Sequence, residues 1–348
     1  MGKGQRFSIK VTHDFFSEDG KTLGEDMGLS VLDDEPLIQW ERFQEHRPEI
    51  GPDQVAGAQG VVVLAPRVTA QTVSAVEDLL AIGRFGAGFD AVDIPACTAA
   101  GVAVMNTPGA VDRPVGEATV GWMIALSHHT RIKDMLVRTG QWNSRTDYSG
   151  SELRDKTFGA VGLGGIARKT LELLQGFGMN PPIAHDPLVD EAAASKLGVR
   201  LVALHELLAQ ADFVSVHCPL MPQTEGLIGA DELALMKPGA FLLNTARGGI
   251  VDEDALYDTL KNKRIAGAAI DVFVGEPITE PHRFGELENV LLAPHAIAWT
   301  HELFRDIGRS VFRSMVELAH GKRPGPVLNP EVFDRPSFQE KWRRLRIS

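Results

Sequence analysis

Three side chains from separate segments could together act on a small carbonyl compound. They are Arg247, Glu276 and His295, and all three follow a glycine-rich turn at residues 162–167. An arginine holds a carboxylate with its forked donors, a histidine gives or takes a proton, and a carboxylate orients that histidine. The set suits a 2-keto acid whose carbonyl is protonated, and it indicates hydride transfer if the turn holds a dinucleotide.

The turn itself has the sequence Gly-Leu-Gly-Gly-Ile-Ala. Gly162 permits a tight turn, Gly164 lets the backbone approach a pyrophosphate, and Ala167 is small enough for helix–strand packing. The N–H groups that open the following helix would hold the pyrophosphate. Such a pattern also occurs in ordinary turns, but here a strand-like run precedes it and a helical pattern follows.

An acidic residue lies where a dinucleotide site needs one. Asp186 ends the next apolar run, about 20 residues after Gly164. Its carboxylate could bind the adenosine ribose hydroxyls and would repel a 2′-phosphate, and residues 187–190 contain no arginine to reverse that preference. The sequence therefore favours NAD over NADP. The alternative is that Asp186 is only a turn residue at a strand end.

Short apolar runs alternate with helical patterns along the chain. This alternation predicts α/β architecture with a Rossmann-type, doubly wound parallel sheet. In the centre we expect strands at 157–162, 183–186, 213–217, 240–244, 266–271 and 290–292, with helices at 166–178, 203–210, 230–236 and 253–263. Upstream we expect strands at 60–64, 82–86 and 102–105, a helix at 70–80 capped by Thr69, and a long helix at 115–128; residues 14–50 give no clear pattern.

Composition limits the classes of protein that fit. The 348 residues suit two domains, and 44% hydrophobic with 23% charged residues is typical of a soluble globular protein. A net charge of −11 disfavours nucleic acid as a partner. The N-terminus has no signal-peptide core and no run of about 18 apolar residues occurs, so we expect no membrane partner. Two cysteines, Cys97 and Cys218, fit a reducing cytoplasm.

Several long segments resemble one enzyme family. They are residues 217–225 (HCPLMPQTE), 236–253 (MKPGAFLLNTARGGIVDE), 268–277 (AAIDVFVGEP) and 292–295 (LAPH), together with 84–90 (RFGAGFD) and 106–108 (NTP). In their order and residue types these segments resemble the D-isomer-specific 2-hydroxyacid dehydrogenases over roughly residues 60–320. The resemblance implies a discontinuous, flavodoxin-like substrate domain at 1–106 and 299–330 and an NAD-binding domain at 107–298. It places the active site between them and leaves a tail at 331–348, which we expect to be solvated or to contact another subunit.

The resemblance also implies roles for the three side chains. Arg247 would grip the carboxylate and carbonyl oxygen of the substrate, and His295 would be the acid/base. Glu276 would orient the imidazole and favour its charged form. Backbone N–H groups of Ala87 and Gly88 would complete the carboxylate site.

Cofactor contacts carry over from the family in the same way. The residues expected to bind NAD are Gly162, Gly164, Gly165 and Ile166 at the pyrophosphate, Asp186 at the ribose, Cys218, Pro219 and Thr224 on the adenine and pyrophosphate side, Thr245, Ala246 and Asp271 near the nicotinamide, and Thr107 at the domain junction. We expect no metal, because the pair His128 and His129 has no carboxylate or cysteine set beside it.

Departures from the family pattern bear on the substrate. After His295 the family usually has small residues, whereas here Trp299 either narrows or caps the substrate pocket or packs against the other domain. Ala87 stands where phosphite dehydrogenases carry lysine, and Glu276 stands where formate dehydrogenases use glutamine. Phosphoglycerate is not excluded as the substrate, and Arg67 is the one candidate ligand for its phosphate. We expect no appended regulatory domain.

The leading hypothesis is an NAD-dependent D-2-hydroxyacid dehydrogenase that acts on a small 2-hydroxy or 2-keto acid. One alternative is an NAD(H)-sensing binding protein of the same fold with little turnover. Another is a dehydrogenase of a bulkier, sugar-derived acid. The resemblance further implies a homodimer built around the helix at 115–128. The sequence does not identify the acid or the physiological direction.

Overall fold

The computed structural model describes residues 6–347. All strands in this part of the chain belong to one of two parallel sheets. The strands are β1 (Phe7–Val11), β2 (Ile38–Arg42), β3 (Gly60–Val63), β4 (Ala81–Arg84), β5 (Ala103–Met105), β6 (Phe158–Val161), β7 (Ile183–His185), β8 (Arg200–Leu201), β9 (Phe213–Val216), β10 (Phe241–Asn244), β11 (Gly267–Ile270) and β12 (Val290–Leu292).

Helices connect most of these strands. They are α1 (Ser30–Asp33), α2 (Pro52–Val55), α3 (Ile94–Ala99), α4 (Asp112–Ser127), α5 (Thr130–Arg138), α6 (Gly165–Leu173), α7 (Glu191–Lys196), α8 (Leu204–Gln210), α9 (Ala230–Ala234), α10 (Glu253–Lys261), α11 (His301–Ala319) and α12 (Pro336–Leu345). Short 3-10 helices lie at His13–Phe15, Trp142–Asp147, Arg283–Glu286 and Pro330–Asp334. None of the described helices is long and apolar enough to cross a membrane.

The chain divides into two compact units. The first unit contains the described residues up to Val111 and those from Trp299 onward, and the second unit is Asp112–Ala298. This division is discontinuous, with its first boundary after Val111 rather than after residue 106. Thr107, expected among the cofactor-domain residues, therefore belongs to the first unit.

The sheet of the first unit has the order β2-β1-β3-β4-β5, with all neighbours parallel. This is the flavodoxin-like order. Helix α11 packs on the sheet through apolar residues at helical spacing, including Val311 and Met315. A Cβ on Gly83 of β4 would lie 2.6 Å from a methyl group of Val311. The glycine therefore allows the close approach of α11 to the sheet.

The sheet of the second unit has the order β12-β11-β10-β9-β6-β7-β8, again with every pair parallel. This matches the Rossmann order, with the direction of winding reversing between β6 and β9. Strands β6, β9, β10 and β11 are buried along their whole length, because helices cover both faces. The predicted fold class is confirmed.

One predicted helix of the first unit is wrong. Residues 70–75 form turns instead of a helix over 70–80. The Thr72 hydroxyl donates to the Ile50 carbonyl at 2.6 Å and accepts the N–H of Thr69 at 2.9 Å. A buried threonine that bonds locally to backbone competes with helical hydrogen bonding, so the expected Thr69 cap does not form.

The segment from 331 onward also differs from the expected tail. Helix α12 packs into the first unit, with Phe338 and Leu345 buried and the Trp342 indole donating to the Leu318 carbonyl at 2.7 Å. These three residues lie on one face of a helix because their spacing is four and then three. The neighbouring basic residues obscured this apolar face in the sequence.

Lys341 anchors this helix to the first unit. Its ammonium donates to the carbonyls of Leu79 at 2.7 Å and Gly101 at 2.8 Å, and burial lowers its pKa to about 8. We expect Lys341→Ala to lower the free energy of unfolding by about 1–3 kcal/mol, because two acceptors lose their donor. Urea unfolding would measure this change. Arg343→Ala, at an exposed position of the same helix, is the control and should cost less than about 0.5 kcal/mol.

The loss should also depend on pH. An ordinary lysine titrates near 10.5, so between about pH 8 and 10.5 the unfolded chain binds more protons at this position than the folded chain. The contribution of Lys341 to stability therefore rises with pH across this window. A difference between wild type and variant that stays constant from pH 7 to pH 9.5 would contradict this account.

Candidate active site

The three predicted catalytic side chains follow three neighbouring strands of the second unit. Arg247 comes after β10, Glu276 after β11 and His295 after β12, and the sheet order places these strands side by side. Because parallel strands present their carboxyl ends at one edge, the three loops share that edge. The structure therefore brings together residues that are far apart in sequence.

His295 and Glu276 form a direct pair. The Nδ1 atom of His295 lies 2.7 Å from Oε2 of Glu276, and Oε1 of Glu276 accepts the N–H of Phe273 at 2.7 Å. Burial on its own raises the pKa of Glu276, but the hydrogen bonds from His295 and Phe273 and the charge of Arg247 lower it on balance. An ionised carboxylate only accepts, so Nδ1 carries the proton and Nε2 is left to exchange one.

The backbone of His295 is held in an unusual conformation by Asp271. His295 has φ +53°, a left-handed value that costs a non-glycine residue about 1–2 kcal/mol. Its N–H donates to the carbonyl of Asp271 at 2.7 Å, and the Asp271 carboxylate accepts the N–H groups of Ala296 at 2.9 Å and Ile297 at 3.1 Å. Asp271 is thus a fixing residue for the His295 turn, a role that the sequence did not reveal.

Asp271 itself is only 5% exposed. Burial raises its pKa, and the two backbone donors oppose that shift without cancelling it. Only one of its carboxylate oxygens receives these two backbone bonds. The predicted contact with the nicotinamide carboxamide stays a prediction.

The turn that carries Arg247 is framed by Asn244, the last residue of β10. The Asn244 side chain accepts the N–H of Ala246 at 3.1 Å and donates to the carbonyl of Arg247 at 3.0 Å. The guanidinium of Arg247 donates to the carbonyl of Ala246 at 2.7 Å. Asparagine here replaces backbone partners that a regular strand would supply, and the sequence gave it no role.

The glycine turn has the geometry that the sequence predicts. Gly162 has φ +97°, and a Cβ at this position would lie 2.7 Å from the backbone nitrogen of Cys218. Gly164 precedes α6, with open space where its Cβ would be, and Ala167 is fully buried against the sheet. Gly164 therefore offers bare backbone at the winding reversal of the sheet, as a pyrophosphate requires. At Gly165, the first residue of α6, a Cβ would overlap the carboxylate of Asp112.

Asp186 lies next to this turn. One carboxylate oxygen accepts the N–H of Leu163 at 2.8 Å, and the other accepts the N–H of Leu188 at 2.9 Å. These bonds fix the carboxylate at the end of β7 beside the glycine turn. Each oxygen retains a lone pair for a ribose hydroxyl.

The remaining predicted cofactor residues of the second unit follow the carboxyl ends of β6, β9 and β10, with Gly165 and Ile166 in α6 and the others in loops. Cys218 is half-buried, and burial raises the pKa of its thiol to about 11, so it is not a nucleophile at neutral pH. The Thr224 hydroxyl donates to the carbonyl of Pro219 at 2.6 Å. The Thr245 hydroxyl is buried with no hydrogen-bond partner among the described residues. Ile166 is half-buried in the first turn of α6.

The other predicted site residues belong to the first unit. The Asn106 side chain donates to the carbonyl of Ala87 at 2.7 Å, which fixes the turn before Gly88. Trp299 is 54% exposed, and its ring meets that of Phe304 edge-on at 5.2 Å. The predicted substrate contacts of Ala87, Gly88 and Trp299 stay predictions. Across residues 6–347 no group of three or more histidine, cysteine or acidic side chains could hold a metal ion.

Together the reversal of the sheet, the glycine turn and the acidic residue beside it define a dinucleotide-binding unit of the Rossmann type. Comparison with known families narrows this class. The sequence model described as "D-isomer specific 2-hydroxyacid dehydrogenase, NAD binding domain" matches residues 120–296. The chain belongs to the D-isomer specific 2-hydroxyacid dehydrogenase family, and the predicted resemblance is confirmed.

Curated relatives and solved structures agree with this assignment. The chain is 35% identical over 310 residues to a D-3-phosphoglycerate dehydrogenase of Rattus norvegicus, covering 89% of this chain and 56% of the relative. It is 37% identical over 288 residues to the enzyme of that name from Methanocaldococcus jannaschii, covering 82% and 53%. The chain thus spans about half the length of these relatives. A crystal structure of a glyoxylate reductase from Paecilomyes thermophila superposes with a TM-score of 0.79 at 25% identity, covering 93% of this chain and 98% of that one.

Proposed function

We propose that the protein is an NAD-dependent D-2-hydroxyacid dehydrogenase that interconverts a small 2-keto acid and the corresponding 2-hydroxy acid. The observation that carries the proposal is the 2.7 Å pair between His295 Nδ1 and Glu276 Oε2. It lies at the sheet edge that also bears Arg247 and the glycine turn. A protein that only sensed NAD(H) would need the turn but not an oriented acid/base.

The residues of the second unit support separate roles in proton transfer, substrate binding and orientation of the imidazole. NAD(H), when bound, supplies or accepts the hydride at C2 of the substrate. Nε2 of His295 donates a proton to the carbonyl oxygen in reduction and removes the hydroxyl proton in oxidation. Arg247 binds the substrate carboxylate and stabilises the negative charge that develops on the oxygen. Ionised Glu276 keeps Nδ1 protonated and stabilises the imidazolium form.

The geometry of the glycine turn and of Asp186 fits the cofactor. The bare backbone at Gly164 suits a pyrophosphate, and Asp186 suits a ribose with free 2′- and 3′-hydroxyls. We propose that Gly162, Gly164, Gly165, Ile166 and Asp186 hold NAD, with Cys218, Pro219, Thr224, Thr245 and Ala246 beside it.

Substrate identity is the finer part of the proposal. Relatives named D-3-phosphoglycerate dehydrogenase favour the corresponding phosphorylated keto acid as one candidate. Arg67, the one candidate phosphate ligand in the sequence, is exposed and follows β3 in the first unit. A bulkier, sugar-derived acid is a second candidate, because Trp299 stands where the family usually has small residues.

A substrate screen tests the proposal. The purified protein would be mixed with NADH and glyoxylate, hydroxypyruvate, 3-phosphohydroxypyruvate, longer 2-keto acids and keto sugar acids, and absorbance at the NADH band followed. We expect turnover with at least one of them and a product of D configuration. Tight NADH binding without turnover across the panel would instead favour the NAD(H)-sensing alternative.

Asp186 provides a test of cofactor choice. We expect Asp186→Asn to lower the preference for NADH over NADPH by about 10- to 100-fold, since removal of the charge ends repulsion of the 2′-phosphate. The single carbonyl oxygen of asparagine can still accept from Leu163, so the glycine turn should persist although the bond from Leu188 is lost. Steady-state kcat/KM for both cofactors measures the change. Asp190→Asn is the matched control, because asparagine caps α7 as well as aspartate does; an unchanged preference in Asp186→Asn would remove Asp186 from the ribose site.

We also propose that the protein is a cytoplasmic homodimer. Helix α5 and the 3-10 helix after it expose apolar side chains at Met135, Val137 and Trp142, beside the long helix α4. Large apolar side chains exposed within one short segment favour a surface that another subunit covers. Light scattering should give a mass near twice the 37.8 kDa of one chain; a single-chain mass at micromolar concentration would refute the dimer.

A further inference from the structure

Two consecutive peptide groups in the second unit connect the loops of the candidate active site. They lie on either side of Phe273, in the loop after β11. The N–H of Phe273 donates to Glu276 at 2.7 Å, and the N–H of Val274 donates to Oε1 of Glu253 at 2.7 Å. Two different carboxylates thus fix two consecutive amides. Glu253 belongs to α10, a separate element of the unit.

The peptide group between Phe273 and Val274 packs against the backbone of the neighbouring loop. A Cβ on Gly248 would overlap the carbonyl group of Phe273 and lie 2.6 Å from the nitrogen of Val274. Gly248 follows Arg247 directly, so the arginine turn packs on this peptide with no room for a side chain. A displacement of the peptide would therefore move the support of Arg247 as well as the anchor of Glu276.

Glu253 also reaches the far end of the loop. Its Oε2 lies 3.6 Å from Nε2 of His282, and both side chains are largely buried. Nδ1 of His282 accepts the N–H of Phe284 at 3.4 Å, which leaves the ring proton on Nε2, facing the carboxylate. The imidazole packs between the rings of Phe273 at 4.9 Å and Phe284 at 5.1 Å. Glu253 consequently contacts the loop at both residue 274 and residue 282.

We propose that Glu253 is a positioning residue for the active site, which it serves by fixing the Phe273–Val274 peptide and, through it, Glu276. The proposal rests on the function proposed above. Glu253 contacts neither Glu276 nor His295 in the hydrogen bonds described, so it acts through the loop backbone. Its buried carboxylate is not explained by capping of α10, because Asp252 already caps that helix by accepting the N–H of Ala255 at 3.0 Å.

Three variants separate positioning from general stability. Glu253→Ala removes both loop contacts, whereas Glu253→Gln keeps an oxygen that can accept the Val274 N–H. Asp254→Asn is the matched control, since Asp254 is the next residue of α10 and pairs with Arg283 at an exposed position. Each variant would be assayed with a 2-keto acid that the wild type reduces. Hydrogen exchange of the peptide spanning residues 271–282 would be measured by mass spectrometry on the same samples.

The expected results differ between the variants. Glu253→Ala should lower kcat by about 10- to 100-fold, since small misplacement of catalytic groups has effects of this size. Its KM for NADH should change by less than about twofold, because the glycine turn and Asp186 lie elsewhere. Its pH profile of kcat/KM should shift in the same direction as that of Glu276→Gln. Glu253→Gln should recover most of the activity, and Asp254→Asn should match the wild type.

Several results would overturn the proposal. If Glu253→Ala melts earlier but keeps the wild-type kcat and pH profile, Glu253 has only a structural role. Unchanged exchange of residues 271–282 would show that Glu253 does not hold the loop. A wild type that reduces no 2-keto acid would defeat the proposed function, and the exchange data would then still decide whether the loop depends on Glu253.

Discussion

Replacing His295 with glutamine should reduce kcat for a 2-keto acid by about 10²- to 10⁴-fold, the range attributed to a positioned general acid. Glutamine can still hydrogen-bond to Glu276, but it cannot deliver a proton to the carbonyl oxygen. The dissociation constant for NADH should change by less than about twofold, because the glycine turn and Asp186 do not depend on His295. Steady-state assays and NADH fluorescence titration measure the two quantities.

His301→Gln is the matched control for this experiment. His301 is an exposed residue at the start of α11 and lies in the first unit. We expect wild-type kcat in this variant. Retention of more than about a tenth of wild-type kcat in His295→Gln would mean that another group provides the proton, and the proposed mechanism would lose its acid.

The pH dependence of the same reaction follows from Glu276. Its pKa is lowered, so the carboxylate is ionised throughout the neutral range and the pair with His295 persists until acid protonates Glu276. The orienting interaction is therefore present above the ordinary carboxyl range and is lost as pH falls through the lowered pKa. Activity loss between pH 5 and 8 should consequently reflect other groups than Glu276.

The sequence was sufficient to predict the inner strands of the second unit because they are buried on both faces, whereas β8, α5 and α7 were not predicted. Runs such as Phe213–Val216 and Phe241–Asn244 are apolar and short, with helical patterns between them. The glycine turn was also predictable from the sequence, since Gly162 has positive φ and faces backbone at Cys218. In both cases one local requirement determines the residue type.

The first unit was harder to predict because some of its elements lack an apolar run or depend on contacts with distant residues. Strand β2 at Ile38–Arg42 lies at the edge of the sheet, where only Ile38 is buried, so its sequence has no apolar run. The helix expected at 70–80 fails at Thr72, whose buried hydroxyl bonds to the distant carbonyl of Ile50. Such a partner is created by the tertiary fold and leaves no trace in local spacing.

The supports of the candidate site were missed for the same reason. Asp271 was predicted to contact the cofactor, and the sequence did not reveal that it also fixes the turn of His295 through residues 296 and 297. Glu253 was noticed only as part of a motif, while its contacts lie at residues 274 and 282. Arg247, Glu276 and His295 are identifiable by residue type and motif, but the further supports at Asp271 and Glu253 are identifiable only by geometry.

Arg247→Lys should lower kcat/KM for the 2-keto acid by about 10²- to 10³-fold, the size seen when one donor to a developing oxyanion is removed. Lysine keeps the charge but loses the planar fork that matches a carboxylate and a carbonyl together. Part of the loss should appear as a higher KM for the keto acid, because the carboxylate is bound in the ground state as well. KM for NADH should stay within about twofold of the wild-type value.

The geometry of Arg247 also permits a chemical rescue. In Arg247→Ala, guanidinium ion added below denaturing concentrations should restore activity in proportion to its concentration, whereas ammonium ion should not, since only guanidinium reproduces the fork. Arg264→Lys, at an exposed position of the same unit, is the control and should leave kcat/KM unchanged. If Arg247→Lys stays within threefold of the wild type, the guanidinium does not bind the substrate. The role proposed for it would then fall to another donor at the same sheet edge.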